Sequence, residues 1–278
     1  MVSKWIVVNI FTISFLYTEA QVDSTSAITD TIQDTTIIKT YNEAKFSIQT
    51  GNNLAQVGQA MTTNVFYLRP GAVFYHKSGL YAGANLTYMP MDSSKKLDNF
   101  NLSAGYSIDL SDYFSTGIDY TFSQYYTTKQ VASSAAHMIS PYITWENKIL
   151  SPTLTPMFLL GTTTDIAVQL DLSHIFIFKS VFHPKGKLTI PLSVGAIGGT
   201  SEYYTTNVLR NKKGRTLTFT NTKSQLALTS VYAMATIKYK INRTAFSFNT
   251  SYYHNTDPNN SDVSNNTPVF RFILAYYL

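Results

Sequence analysis

From residue 44 to the end of the chain, apolar and polar residues alternate with a period of two, in short segments separated by polar breaks. Side chains of a β-strand point alternately to opposite faces, so this pattern predicts strands with one apolar and one polar face. Twelve strands are predicted, over residues 44–52, 64–76, 79–89, 100–110, 113–126, 135–146, 150–161, 165–179, 187–200, 224–240, 243–253 and 267–278. Ten or fourteen strands would also fit, if a segment is split or merged.

The last segment, 267–278, has the clearest division into faces. One face is wholly apolar and aromatic and carries Phe270, Phe272, Leu274, Tyr276 and Leu278. The opposite face carries the only charge, Arg271. About 9–11 residues allow a tilted strand to cross a bilayer. The pattern therefore predicts an all-β protein, a transmembrane antiparallel up-and-down β-barrel of about twelve strands.

The connections support this architecture because short and long ones alternate. Those after the second, fourth, sixth, eighth and tenth strands are short, and most of the others are long and polar. Short turns at one end and long loops at the other are typical of outer-membrane barrels, with both chain termini in the periplasm. Five prolines oppose the strand assignment, since a closed barrel has no free edge where a missing N–H is harmless. They are Pro70, Pro141, Pro152, Pro156 and Pro191.

Charged residues within the strands fall on the face opposite the apolar one. A Lys or Arg that faces lipid at the bilayer midplane costs about 2–4 kcal/mol, so these side chains are expected to line the lumen. The predicted lumen-lining residues are Arg69, Asp109, Asp119, Glu146, Asp165, Asp171, Lys238 and Arg271. Five acids against three bases favour a weak preference for cations in an open channel. The alternative is a network of mutually paired charges that plugs a narrow barrel.

Aromatic residues gather near the strand ends, as expected for side chains at the membrane–water interface. The outer group is Tyr88, Tyr125, Tyr126, Tyr203, Tyr204, Tyr252 and Tyr253. The inner group is Tyr113, Phe114, Trp145, Tyr239 and Tyr276.

The start of the chain has the pattern of an export signal. Lys4 precedes an apolar run that is too short for a membrane helix, and small residues follow it at positions 18 and 20. Residues 1–20 are therefore predicted to be a cleaved signal peptide, 21–42 a flexible periplasmic leader and 43–278 the barrel. An uncleaved anchor is the alternative.

The C-terminal strand resembles that of outer-membrane β-barrel proteins, which commonly end with an aromatic residue two positions before a hydrophobic terminal residue. Tyr276 matches this pattern, and Leu278 stands where the family usually has Phe. The resemblance implies a Gram-negative outer membrane and an assembly signal read by the barrel assembly machinery, formed by Phe272, Leu274, Tyr276 and Leu278. The aromatic-rich barrel is similar in style to those of Bacteroidota.

Composition narrows the function classes. The chain has no Cys, which excludes disulfides, thiolate metal sites and a catalytic thiol. Twenty Tyr and 17 Phe with 13% charged residues are too aromatic for a disordered chain and too polar for a helical membrane bundle. The net charge of +5 is modest and the basic residues are scattered, so nucleic-acid binding is not expected.

Candidate chemistry is sparse. His174 is predicted on the lipid face with Ser173 beside it, but adjacent strand residues point to opposite faces and cannot form a nucleophile and base pair. The one His-x-Ser pair, His76-Lys77-Ser78, spans the predicted turn after the second strand, and the five His lack metal-ligand spacing. No catalytic residue, cofactor or metal is predicted.

A basic cluster lies in the segment 201–223, where Thr-, Tyr- and Val-rich flanks predict that two strands extend above the membrane as a hairpin. Arg210, Lys212, Lys213 and Arg215 are candidates for contact with lipopolysaccharide phosphates, with a solvated hairpin tip as the alternative.

The sequence favours a passive channel or uptake pore for small solutes, embedded in outer-membrane lipid and lipopolysaccharide. The alternatives are a non-conducting barrel that anchors the envelope or displays surface loops, then a lipid-modifying enzyme. A soluble exported β-sandwich is the alternative fold.

Overall fold

A computed structural model describes residues 42–52, 55–56, 59–60, 66–90, 96–126, 135–147, 149–161, 164–210, 216–256 and 267–278. Within this part of the chain, the structure contains no helix that is long and apolar enough to span a membrane.

Twelve antiparallel strands form a closed barrel, which confirms the predicted fold class and strand number. The barrel strands are β1 (Glu43–Gly51), β4 (Tyr67–Tyr75), β5 (Leu80–Tyr88), β6 (Leu97–Ser111), β7 (Phe114–Tyr125), β8 (Ala135–Trp145), β9 (Ser151–Gly161), β10 (Thr164–Lys179), β11 (Gly186–Arg210), β12 (Thr216–Ile241), β13 (Thr244–Asn255) and β14 (Thr267–Tyr277). Two short strands, β2 (Ala55–Gln56) and β3 (Gln59–Ala60), pair with each other in the connection between β1 and β4. This small hairpin was not predicted from the sequence.

The barrel closes because β1 pairs with β4 on one side and with β14 on the other. Phe46 lies opposite Tyr276, and the backbone N–H of Leu278 donates to the carbonyl of Ala44 over 2.8 Å. The C-terminal strand therefore completes the ring, and no barrel strand is left with an unpaired edge.

Beyond the ring, β11 and β12 continue their pairing as far as Arg210 and Thr216. The prediction that these two strands extend as a hairpin is thus confirmed, and the extension is longer than the segments 187–200 and 224–240 indicated.

The two faces of the wall divide as the alternation predicted. Outward-facing side chains are apolar and exposed in the isolated chain, and Phe74, Ile118, Leu170 and Phe272 are examples. Inward-facing side chains are largely polar and buried. An exposed apolar belt around a closed barrel is stable only against lipid, so the fold is that of a membrane-spanning barrel.

The in-strand prolines lie at interruptions of the pairing. The paired residues of β8 and β9 stop at Ile139 with Phe158 and resume at Ile143 with Leu154, so Pro141 and Pro156 both fall inside the gap. The other three prolines lie at similar places. Pro70 lies in a gap of the β4–β5 pairing, and Pro191 lies in a gap of the β11–β12 pairing. Pro152 lies beyond the last pair of β8 with β9. A residue without an N–H is harmless where the ladder is already interrupted.

The aromatic interface prediction is wrong for Tyr253, and Tyr125 lies across from the buried, inward-facing Asn99; the side chains of Tyr203 and Tyr204 are outside the described part. Tyr253 is only 1% exposed and packs inside the barrel beside Tyr232, whereas its neighbour Tyr252 faces outward. Two consecutive strand residues cannot both face lipid, because successive side chains point to opposite faces.

Four inward-facing tyrosines lie directly across from a glycine on the neighbouring strand. The pairs are Tyr67 with Gly51, Tyr81 with Gly105, Tyr142 with Gly117 and Tyr232 with Gly195. A Cβ at Gly117 would lie 2.6 Å from the hydroxyl of Tyr142, so the ring lies flat over the glycine backbone. This lets a tyrosine reach past its neighbour: Tyr142 of β8 crosses β7 and donates to Ser107 Oγ of β6 over 2.8 Å.

Candidate functional site

The eight predicted lumen residues lie on or beside the inner wall. Arg69, Asp171, Lys238 and Arg271 are buried, with exposures of 1%, 6%, 7% and 2%. Asp109, Asp119, Glu146 and Asp165 are half-buried, and Glu146 follows directly after the last residue of β8.

Two arginines and two aspartates lie on opposite arcs of the wall. We call the part of the wall that carries Arg69, Arg271, Asp119 and Asp171 the waist. Arg69 on β4 and Arg271 on β14 flank β1 from its two sides. In the ring of twelve strands β9 is diametrically opposite β1, and Asp119 on β7 and Asp171 on β10 lie on either side of the β8–β9 pair. This separation was not visible in the sequence, because it depends on the closure of the barrel and not on spacing along the chain.

The arginine side of the waist is held by neighbouring strands. Arg69 donates from Nε to Thr87 Oγ1 over 2.9 Å and from Nη1 to Gln49 Oε1 over 3.4 Å. Its guanidinium carbon lies 4.9 Å from the centre of the Tyr67 ring, whose hydroxyl accepts from Gln49 Nε2 over 2.6 Å. These contacts run along the wall through β1, β4 and β5 and fix the cation there.

The acidic side is held in the same way. Gln169 Nε2 donates to Asp171 Oδ2 over 2.5 Å and to the hydroxyl of Tyr232 over 3.0 Å. Tyr232 donates in turn to Asp171 Oδ1. Tyr232 belongs to β12 and reaches β10 by lying over Gly195 of β11, so a network that spans three strands stays flat against the wall.

An amide cluster that sequence reasoning missed lies on β5 and β6. Asn101 Nδ2 donates to Asn85 Oδ1 over 3.0 Å and to Asn99 Oδ1 over 3.3 Å, and all three side chains are buried on the inner face. The sequence did contain one signal for this cluster, because Asn99 and Asn101 are two positions apart and so both lie on the polar face of β6.

Basic side chains also gather at the end of the barrel that carries the short turns. Lys187 pairs across the strands with Lys179 and Lys240, and Lys240 lies 3.9 Å from the ring centre of Tyr277. Asp109 and Glu146 occupy the β6–β8 arc instead. Burial raises the pKa of the Glu146 carboxyl, a hydrogen bond from Ser115 lowers it, and the nearby charge of Asp109 raises it further.

The histidines that were weighed as catalytic candidates have local partners. His174 Nδ1 lies 2.6 Å from the carbonyl oxygen of Ile149, and its ring meets Phe176 edge-on with centroids 4.4 Å apart. His137 Nδ1 lies 2.8 Å from the hydroxyl of Tyr120 on the outer face. Among the described residues, no group of three or more His, Cys, Asp or Glu side chains is placed to hold a metal ion.

Two further sets of predicted residues concern the outside of the barrel. In the assembly signal, Phe272, Tyr276 and Leu278 are exposed on the outer face and Leu274 is half-buried. Lys212, Lys213 and Arg215 lie outside the residues whose side chains are described, and of Arg210 only the backbone is described.

Comparison with known proteins gives structural similarity only. No family model matches the sequence, and no curated protein matches it. Among solved structures, the NanC porin is similar with a TM-score of 0.48 and 11% identity, over 84% of this chain and 100% of that chain. The KdgM porin has a TM-score of 0.45 and 10% identity, over 84% and 98%. LpxR from Salmonella typhimurium has 0.40 and 7%, over 84% and 99%. The function is therefore argued from the residues of this chain.

Proposed function

We propose that the protein is an integral outer-membrane barrel that acts as a passive channel or uptake pore for small hydrophilic solutes. The observation that carries this proposal is the inner wall, where polar and charged side chains line a closed barrel whose outer face is apolar. A barrel that served only as an anchor could fill its interior with apolar side chains at no hydrogen-bonding cost. Buried Arg69, Arg271, Asp171 and Lys238 are instead retained at the centre of a twelve-stranded ring.

The hydrogen bonds of the inner wall include bonds between neighbouring strands. Arg69 is bonded to the adjacent strands β1 and β5, and Asp171 to its own strand and to β12. These bonds hold both charged groups against the wall. The opposed arginine and aspartate arcs would orient polar solutes at the waist, and the larger number of acids would give a weak cation preference.

Single-channel recording of the mature chain, refolded in detergent and inserted into a planar bilayer, tests the proposal. We expect discrete conductance steps with a weak preference for potassium over chloride. The double substitution Asp119→Asn and Asp171→Asn should reduce that preference, because it removes both carboxylates of the acidic arc. Asp112→Asn is the matched control, since Asp112 lies in the exposed turn between β6 and β7 and outside the lumen.

The outcomes separate the alternatives. Conductance whose selectivity changes in the double variant and not in Asp112→Asn supports a channel lined by the two carboxylates. A folded sample that shows the heat-dependent gel mobility of a barrel and yet gives no conductance steps refutes the channel.

A second candidate function is surface display, which the length of the β11–β12 hairpin favours. These strands have 25 and 26 residues, whereas the other barrel strands have 9 to 16. We propose lipopolysaccharide phosphates as the contact of Arg210, Lys212, Lys213 and Arg215 at its tip, and the barrel assembly machinery as the partner that reads the C-terminal strand. Binding of lipopolysaccharide vesicles by the wild type and by a variant with the four basic residues replaced by Gln tests the first contact.

A further inference from the structure

On strands β7 to β10, four buried oxygen atoms of the inner wall have no hydrogen-bond partner among the described residues. They are Asp119 Oδ1, Ser140 Oγ, Thr155 Oγ1 and Gln169 Oε1. Ser140, Thr155 and Gln169 are at most 2% exposed. The four residues belong to four consecutive strands, β7, β8, β9 and β10, on the acidic arc of the waist.

The strand register places these four residues at neighbouring positions of the inner face. Asp119 lies directly across from Ser140, and Thr155 lies directly across from Gln169. The pairing of β8 with β9 on either side of Ser140 and Thr155 keeps these two residues on the same inward face. Asp171 lies two residues from Gln169 on β10 and therefore faces inward beside it. We call these five residues, Asp119, Ser140, Thr155, Gln169 and Asp171, the acidic strip.

The bonds around Asp171 fix the orientation of one member of the strip. Gln169 uses its amide nitrogen twice, as donor to Asp171 and to Tyr232, so its amide oxygen must point elsewhere. The assignment of oxygen and nitrogen in this amide follows from the network, since the carboxylate of Asp171 can accept a hydrogen bond and not donate one. The amide oxygen of Gln169 is thus left without a partner on the same inner face as the hydroxyls of Thr155 and Ser140.

Buried acceptors without donors are costly, and a ligand that brings positive charge or N–H donors would satisfy them. Oxygen ligands with carboxylates suit hard cations, and the strip contains neither thiol nor imidazole groups that would favour softer metals. The positive charges of the arginines on the opposite arc would repel a cation, which favours its binding at the strip.

We propose that the acidic strip is a binding site for positively charged solutes in transit, either a hard inorganic cation or the ammonium group of an organic amine. That the bound solutes are in transit rests on the proposed channel function. Binding itself can be measured without conduction. The strip offers a carboxylate at each end, Asp171 and Asp119, and three neutral oxygens between them, so a bound cation contacts the neutral oxygens together with the nearer carboxylate.

Calorimetric titration of the folded mature chain in detergent tests the proposal, with calcium chloride and 1,4-diaminobutane as separate probes. We expect saturable binding of at least one probe. Ser140→Ala should weaken it about tenfold, since a hydrogen bond or oxygen contact to a charged group is lost. Thr155→Val, which keeps the side-chain shape, should have a similar effect.

Ser251→Ala is the matched control. Ser251 is also buried, at 1% exposure, and its Oγ also lacks a partner among the described residues, but it lies on β13, away from the strip. Binding that falls in Ser140→Ala and Thr155→Val and is unchanged in Ser251→Ala supports the proposal. The probe that binds distinguishes an inorganic cation site from an ammonium site.

Two results would overturn the proposed cation site. One is that neither probe shows saturable binding to the folded wild type, and the other is an equal loss of affinity in Ser140→Ala and Ser251→Ala. The channel proposal fails separately. Site-specific binding in a barrel that never conducts refutes the channel and leaves the strip, whereas conduction without binding refutes the strip and leaves the channel.

Discussion

Replacement of Gly117 by Ala tests whether the flat tyrosines depend on the glycines beneath them. An added Cβ at Gly117 would meet the backbone carbonyl oxygen of Tyr106, and it would lie 2.6 Å from the hydroxyl and 2.7 Å from Cε1 of Tyr142. Both distances are about 1 Å shorter than an ordinary carbon contact, so the ring must lift from the wall. Overpacking of this kind costs about 1–3 kcal/mol. The ring also loses its 2.8 Å hydrogen bond to Ser107, which is worth about 1 kcal/mol.

The expected total is therefore about 2–4 kcal/mol, measured as the loss of unfolding free energy in urea for the barrel refolded into lipid vesicles. Gly198→Ala is the control, because a Cβ at Gly198 would meet only the Ala227 carbonyl oxygen at 3.4 Å. We expect this substitution to change the free energy by less than about 1 kcal/mol.

A double-mutant cycle identifies the ring as the cause. In a Tyr142→Ala background, Gly117→Ala should cost less than in the wild type, since the clash with the ring is gone and only the contact with the Tyr106 carbonyl remains. If Gly117→Ala costs the same in both backgrounds, or no more than Gly198→Ala, the tyrosine is not what requires a glycine here.

Two other substitutions have defined outcomes. Tyr232→Phe leaves a buried oxygen of Asp171 without its donor and should cost about 1.5–3 kcal/mol in the same urea assay. Tyr142→Phe loses a bond to a neutral hydroxyl and should cost about 1 kcal/mol. Equal costs would contradict the role of the carboxylate. The raised pKa of Glu146 means that the folded barrel holds this proton to a higher pH than the unfolded chain, so unfolding free energy falls as pH rises through that interval. Glu146→Gln should therefore stabilise the barrel at pH 7 and not at pH 4, and an equal effect at both would refute the assignment.

The sequence was sufficient to predict the barrel because its main signal is local. Alternation in each segment located all twelve strands, and the cost of a charge in lipid placed Asp119 and Arg271 on the inner face. The hairpin of β11 and β12 was also predicted, since its flanks keep a β-favouring composition beyond the membrane.

What the sequence could not predict depends on neighbours across the sheet. The partner of Gly195 is Tyr232, 37 positions away along the chain, and nothing local identifies that pair. The side of Tyr253 was missed because an aromatic near a strand end suits both the interface and the interior. The acidic strip was partly visible as charges, but Ser140 and Thr155 join it only through register, and hydroxyl residues on a polar face carry no distinctive signal.

The gap in the pairing of β8 and β9 has a mechanical consequence. Pro141 and Pro156 leave this seam without a continuous ladder, and Ser140 and Thr155 sit on the inner side of the same seam. Shorter gaps occur between β4 and β5 and between β11 and β12. Within the longer gap between β8 and β9 the spacing of the strands depends on side-chain packing, which yields more easily than a backbone ladder. The longest of these gaps therefore coincides with the strip of unsatisfied oxygens, and we expect the width of that strip to adjust to cations of different radius while the ring stays closed.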